Sequence, residues 1–450
     1  MTPTAATPVQ NVNSPIRNIG LWCLYVFLFL AFSRVFDQRL SFLHLPLILS
    51  LIGLACGILS ARIHRAIATR VGLLFTAFTL WLIVGIPFAF WRAQAFWTLQ
   101  EWFKSYMLFM LIVSLIGRSA ECRIAMTTVA VGAAAAGAEV LFAHATIANR
   151  LTMAGGAWDN PNDLAQALLL ALPFWGLGCV SGGVIRRVLS AMILLGFLWI
   201  ILQTGSRGGM IALLGCTLLM FLRVSFQTKL KLAAACMIAM VWFTATIPRQ
   251  LRNRYVSVLS GKPVLTTPED VQEEETSLAS ARERRILLMQ SLKATITHPI
   301  FGVGAGNFQA FAAANYHEEG RRALWRESHN SYTQVSSEIG LPGLGIFLAI
   351  LFFCFRSMNA ISKKCRKHRE LHDLLKMAEA LRFSLLSYAI TSLFSSTAYK
   401  ILFPCIAALC MVFIESANNE LLRFEPAPSE PEPATQLALP QRALPVRVAW

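Results

Sequence analysis

Stretches of about 20 apolar residues recur along this chain from residue 19 to residue 417, and each is long enough to cross the hydrocarbon core of a bilayer. Inside lipid a backbone has no water to bond to, so such stretches must satisfy their own amides and carbonyls as helices. Hydrophobic residues make up 56% of the 450, more apolar surface than a soluble domain could hide. The predicted fold class is an all-α integral membrane protein with about 12 transmembrane helices. They fall near 19–36, 41–60, 68–90, 95–117, 122–145, 163–181, 186–204, 208–223, 230–248, 331–355, 378–397 and 400–417. The fourth is the least typical because it carries Glu101 and Lys104, and the eighth because it is short.

Basic residues orient the chain. With a cytoplasmic amino terminus, the inner loops hold Arg62, Arg65, Arg70, Arg118, Arg123, Arg186, Arg187 and the dense run from Arg356 to Lys376. The opposite face has only scattered cases such as Arg34, Arg39, Arg92, Arg150, Arg207 and Lys400. Lys and Arg concentrate in cytoplasmic loops, so both termini are expected inside. That placement also accounts for the net charge of +16; in a soluble chain it would suggest nucleic acid, and no such partner is expected here. The ten cysteines lie in spans or inner loops without zinc-ligand spacing, so neither a disulfide framework nor a metal site is expected.

Residues 1–18 read as a cytoplasmic amino terminus without the order of a cleaved signal, and 19–247 as helices 1–9. Residues 248–330 form one large outer loop, partly helical, between helices 9 and 10; 331–418 supply helices 10–12, and 419–450 a Pro-rich, disordered cytoplasmic tail.

The outer loop carries eleven Lys or Arg and nine Asp or Glu. Its acidic block, Glu269 to Glu275, is followed by Arg282, Arg284 and Arg285. Ser277 to Thr297 has helical composition, and a helix there projects Arg282 and Arg285 to one side and Arg284 to another. These arginines could pair with the acidic block as a solvated face, or capture an anion, since a guanidinium matches phosphate oxygens bidentately. Next, Gly302, Gly304 and Gly306 alternate. With no strand before them and no Lys-Ser or Lys-Thr after, they predict a tight turn and close backbone approach rather than a phosphate loop.

Three further outer-face features stand out. Arg207 sits between glycines in Thr204-Gly205-Ser206-Arg207-Gly208-Gly209, where it either snorkels to headgroups or serves a site. Trp158-Asp159-Asn160-Pro161-Asn162-Asp163 suits a turn and helix cap. Ser328-His329-Asn330-Ser331-Tyr332, followed by Glu338 to Gly345, ends the loop and places a group that can take up a proton near neutral pH at the mouth of a helix.

Taken in order, Asn160 to Ala165, Thr204 to Gly208, Ser280 to Phe308 with its His-Pro-Ile-Phe-Gly-Val-Gly core, and Ser328 to Gly345 resemble the O-antigen ligase family. That group also contains O-antigen polymerases and related oligosaccharide transferases, and the resemblance covers about residues 150–350. It implies a membrane glycosyltransferase of the GT-C-like kind in the bacterial inner membrane, without cofactor or metal. Such an enzyme transfers a glycan from undecaprenyl diphosphate at the periplasmic face. The implied partners are undecaprenyl-diphosphate-linked O-antigen, the lipid A-core oligosaccharide and membrane lipids.

The positions matching the family's arginines and histidine are Arg207, one of the 282–285 cluster, and His329. Ser280-Ala281-Arg282 preserves one landmark, yet counting back from His298-Pro299 selects Arg284; Leu288 stands where the family usually has Trp. Arg284 is favoured and Arg282 held in reserve. Asn330, Glu338, Asn162, Ser206 and Arg285 are secondary candidates.

This reading makes His329 the general base for an acceptor hydroxyl and gives the leaving diphosphate to the arginines, in an inverting displacement. A single large outer loop favours ligase over polymerase. A transporter of lipid-linked glycans would be expected to show internal repeats and mid-membrane polar groups, which are not evident in the sequence.

Overall fold

A computed structural model describes residues 14–34, 41–147, 149–156, 158–223, 226–246, 248, 251–252, 255, 268–318, 321–322 and 325–423. The expected tail beyond 423, most of the amino-terminal segment, and the side chains of the acidic block lie outside the described residues. Helices dominate what is described. In chain order they are α1 (Pro15–Ser33), α2 (Leu45–Leu59), α3 (Arg65–Ala68), α4 (Arg70–Gly85), α5 (Arg92–Leu115) and α6 (Ser119–Ala143). A small hairpin, β1 (Thr146–Ile147) and β2 (Arg150–Leu151), leads to α7 (Pro161–Val180), α8 (Val184–Gln203), α9 (Arg207–Arg223) and α10 (Phe226–Thr246). Then come α11 (Pro268–Thr297), α12 (Phe308–Asn315), the hairpin β3 (His317–Glu318) and β4 (Arg321–Arg322), α13 (Ser331–Cys365), α14 (His372–Thr391) and α15 (Leu402–Leu421).

All twelve expected spans fall on helices. Among the described residues, seven helices are long and apolar enough to cross a membrane: α1, α4 with its following turn, α6, α7, α8, α13 and α15. Helices α2 and α9 are apolar but shorter. By contrast α5 carries Gln94, Gln100, Glu101 and Lys104, and α14 carries charges at Asp373, Lys376, Glu379 and Arg382. The protein is thus all-α with multi-pass membrane character.

Burial separates two kinds of apolar helix. Helix α15 packs against α5, α6, α13 and α14, and its residues from Leu402 to Phe413 are buried without interruption. Helix α8 is equally apolar yet leaves Val184, Ile185, Val188, Leu189 and Met192 exposed. Outward apolar residues in such number are stable against lipid and costly against water.

Local chemistry sets where the helices begin. Asn160 caps α7 by accepting from the Asn162 amide at 2.9 Å, with Pro161 following it, as the turn-and-cap reading predicted. The Ser206 hydroxyl accepts from the Gly209 amide at 3.1 Å at the start of α9. Asn330 Oδ1 accepts from the Tyr332 and Thr333 amides at 2.9 and 3.2 Å, starting α13.

Two boundaries differ from expectation. Helix α11 begins at Pro268 rather than Ser277, and α13 runs to Cys365 rather than 355. Helix α13 is also interrupted at Gly340, whose φ of 76° is non-helical; a Cβ there would sit 2.0 Å from the Ile300 carbonyl oxygen. Only glycine tolerates both conditions. The interruption receives the His298–Phe308 turn through a backbone seam. Val303 N–H donates to Ser337 O, Gly304 N–H to Glu338 O and Leu341 N–H to Pro299 O, each at 2.8 Å. The alternating glycines are therefore a close-approach turn, as their context predicted.

Candidate functional site

The seam fixes how α11 lies on α13. Leu341 meets Pro299, Ser336 Oγ is 2.8 Å from Thr295 Oγ1, and Arg326 forms an ion pair with Glu283. Later positions of one segment meet later positions of the other, so the two run parallel. The arginine cluster of α11 consequently comes down beside the residues preceding α13.

Within that cluster the three arginines are not equivalent. Arg282 and Arg285 are exposed, whereas Arg284 is partly buried and acts electrostatically on His329. The structure thus brings together His329 and the arginine selected by counting back from His298-Pro299. His329 is itself partly buried with φ of 52°, the left-handed region, which lets an extended segment turn abruptly into α13. Non-glycine residues adopt this conformation at a cost of about 1–2 kcal/mol.

Burial, followed by the positive charges of Arg284, Arg326 and Lys400, pushes the His329 imidazole down from 6.5 to about 4. It is therefore neutral at physiological pH and able to accept a proton. Of these cations, Arg326 pairs with Glu283 and Lys400 with Asp163, so the imidazole sits in a network of paired charges.

Lys400 connects the site to the first motif. Its ammonium is 2.6 Å from Asp163 Oδ2, in the first turn of α7. Burial works against the charged lysine, but Asp163, Glu327 and Asp159 outweigh it and raise its pKa. Glu327 is shifted upward by burial, with Asp163 adding and Lys400 opposing.

Arg150 ties the first motif to the second. Its Nε donates to Thr204 O at 2.7 Å and its Nη2 to Asn162 Oδ1 at 2.9 Å. Asn162 therefore serves as an anchor point for Arg150, and Ser206 caps the helix that begins with Arg207. Behind Arg207, Gly208 lies so close to Phe394 that a Cβ would be 2.5 Å from its Cβ, which places the start of α9 against the 392–401 turn. That turn also holds the start of α13: Ser331 N–H donates to Ser392 O at 2.7 Å and Ser331 Oγ to Ser395 O at 2.6 Å. Arg207 is thus joined to the His329 region through this turn.

The secondary candidates separate by role. Asn330 is engaged as the α13 cap. Glu338 is buried, accepts from the Gly306 amide at 2.9 Å and adjoins Tyr399, so it latches the glycine turn to α13. Arg150, Lys400 and Glu327 were not singled out as site residues from the sequence; Arg150 and Lys400 figured only as scattered outer-face cations.

Beside these groups a cavity of about 640 Å³ opens between the first turns of α5 and residues 325–334. Trp97, Trp325, Gln100, Glu327, Ser328 and Lys400 contribute to its wall. This volume falls within the roughly 300–1,000 Å³ range of ligand sites.

Comparison with known proteins bears on this region directly. The family model of the O-antigen ligases matches residues 189–348, about a third of the chain. The match contains Arg207, Arg284, His329 and Glu338 and omits Asp163 and Lys400. No match is found among curated proteins. The resemblance to the O-antigen ligase family carried by the ordered motifs is thus supported over residues 189–348.

Proposed function

We propose that the protein is an O-antigen ligase of the bacterial inner membrane. It transfers O-antigen polysaccharide from undecaprenyl diphosphate to a sugar hydroxyl of lipid A-core at the periplasmic face. The observation that carries this reading is the meeting of Arg284 with neutral His329, from segments 45 residues apart, inside the matched domain.

The chemistry follows from that pairing. The acceptor oxygen attacks the anomeric carbon of the donor sugar while the bond from that carbon to the diphosphate oxygen breaks. Undecaprenyl diphosphate leaves with the bonding electrons, and the acceptor proton passes to the His329 imidazole. Attack opposite the leaving group inverts the anomeric centre. Arg284 and Arg207 take the diphosphate, whose oxygens gain charge as the bond breaks, so their contacts strengthen in the transition state.

A base with a low pKa accepts a proton late, after bond formation has acidified the hydroxyl. Donor binding helps here. A diphosphate on Arg284 offsets one of the charges that hold His329 low, so the base strengthens when the donor is in place.

Purified protein given undecaprenyl-diphosphate-linked glycan and rough lipopolysaccharide should yield lipopolysaccharide bearing the glycan. Longer lipid-linked glycan as the product would make the protein a polymerase, and translocation without a new glycosidic bond would make it a transporter.

A further inference from the structure

Helix α5 holds an unexplained inconsistency. Its later part is core, with Trp102, Leu108 and Phe109 fully buried, yet its first turns present Gln94, Trp97, Thr98 and Glu101 at helical spacing along one face. Trp97 is 66% exposed. All four of these residues line the cavity of about 640 Å³. The polar face that makes α5 a poor membrane span is therefore the wall of a site.

The opposite wall comes from the segment leading into His329. Trp325, Glu327 and Ser328 face the cavity, while Arg326, between them, forms its ion pair with Glu283 of α11. This segment divides two chemical environments. On the α11 side lies Arg284; on the α5 side no arginine is found among the described residues lining the cavity.

The charged groups of the cavity are largely engaged within the protein. Glu101 pairs with Lys104, Lys400 with Asp163, and Glu338 accepts from Gly306. Besides these and Glu327, the wall offers two tryptophan rings and the amides of Gln94, Gln100 and Gln309. An amide both donates and accepts, which suits neighbouring hydroxyls, and an indole ring covers the C–H face of a sugar. A diphosphate would call for guanidinium, and a lipid tail for a wall without amides.

We propose that this cavity is the acceptor subsite, which holds a neutral, hydroxyl-rich saccharide between Trp97 and Trp325 and presents one hydroxyl to His329. The assignment rests on the transferase reading above and adds to it where the acceptor lies and what kind of sugar it takes. Carboxylates at Glu101 and Glu327 disfavour a phosphorylated sugar at this place.

Two measurements on the full-length purified protein test it. In the first, core oligosaccharide released from rough lipopolysaccharide and dephosphorylated is titrated into the protein by calorimetry without donor. Binding is expected, weakened about tenfold by Trp97→Ala, less by Trp97→Phe, and left unchanged by Arg284→Ala. In the second, Trp97→Ala and Gln100→Ala should raise the acceptor KM while donor KM stays at the wild-type value.

No binding by wild-type protein overturns the subsite, as does unaltered acceptor KM in variants that melt like wild type. A rise in donor KM alone would reassign the cavity to the donor. If the oligosaccharide binds through Trp97 but the transfer product is extended lipid-linked glycan, the ligase reading falls while the saccharide subsite stands.

Discussion

The two ends of the helical bundle put their charges to different use. Lys400 precedes α15 and Glu415 lies toward its far end, about 20 Å away at 1.5 Å per residue. At the Glu415 end, charges meet partners of opposite sign. Arg17, 1% exposed, pairs with Glu121 and donates to Leu115 O at 3.0 Å. Arg65 pairs with Glu415 and donates to Ile116 O at 3.0 Å. At the other end, neutral His329 faces Arg284, Arg326 and Lys400 beside a cavity. Both ends pair charges of opposite sign, but only at the His329 end does the network border a cavity into which a substrate could bring further charge.

Breaking the two ends should have different consequences. The largest effect is expected at His329→Ala, which should lower transfer by about 10²–10⁴-fold while protein abundance holds, so that lipid-linked donor accumulates in cells. Arg284→Ala should cost about 10²–10³-fold with partial rescue by lysine, and Arg282→Ala little, as read from transfer rates on purified protein. The reverse order for the two arginines would put donor capture on the exposed face of α11.

At the opposite end, Glu121→Ala leaves Arg17 buried without its carboxylate and should destabilise the protein by about 3–5 kcal/mol, seen as a lower melting temperature. Transfer per folded molecule should stay near wild type. Gly340→Ala should destabilise by about 1–3 kcal/mol, because the left-handed backbone and the close Ile300 carbonyl both oppose a side chain. Unlike Glu121→Ala, it should also slow transfer, since the seam at Gly340 sets how α11 lies beside the segment that carries His329.

The smallest expected effect is that of pH near neutrality. His329 has its folded pKa lowered from 6.5 to about 4, so its neutral form is favoured in the fold. Its contribution to stability is complete above 6.5 and is lost as pH falls through 4. In kinetics, kcat/KM reports the free enzyme and should be flat from pH 6 to 8, with its acid limb near 4. The acid limb of kcat should lie higher, because bound diphosphate offsets Arg284. Coincident limbs would remove the proposed coupling between donor and base.

Much of this was legible in the residues. Apolar stretches marked the seven helices long enough to span because lipid demands self-satisfied backbone over a fixed length, and the glycine turn was readable because no strand or Lys-Ser accompanied it. Helical geometry put Arg284 on a different side from Arg282 and Arg285, and the spacing from His298-Pro299 in the family pattern favoured it. Lys400 and Glu327 were harder to find. Lys400 meets Asp163 from 237 positions away, and nothing in its own neighbourhood signals a partner. Arg150 joins Asn162 to Thr204 across two motifs that looked independent. The polar face of α5 was visible in sequence as a poor span, but its meaning required the opposite wall of the cavity.

The most direct measurement combines donor binding and transfer in His329→Ala. Purified variant protein should bind undecaprenyl-diphosphate-linked glycan as wild type does, through Arg284 and Arg207, and form no glycosylated lipopolysaccharide with rough lipopolysaccharide supplied. Transfer at the wild-type rate would contradict the account at its centre.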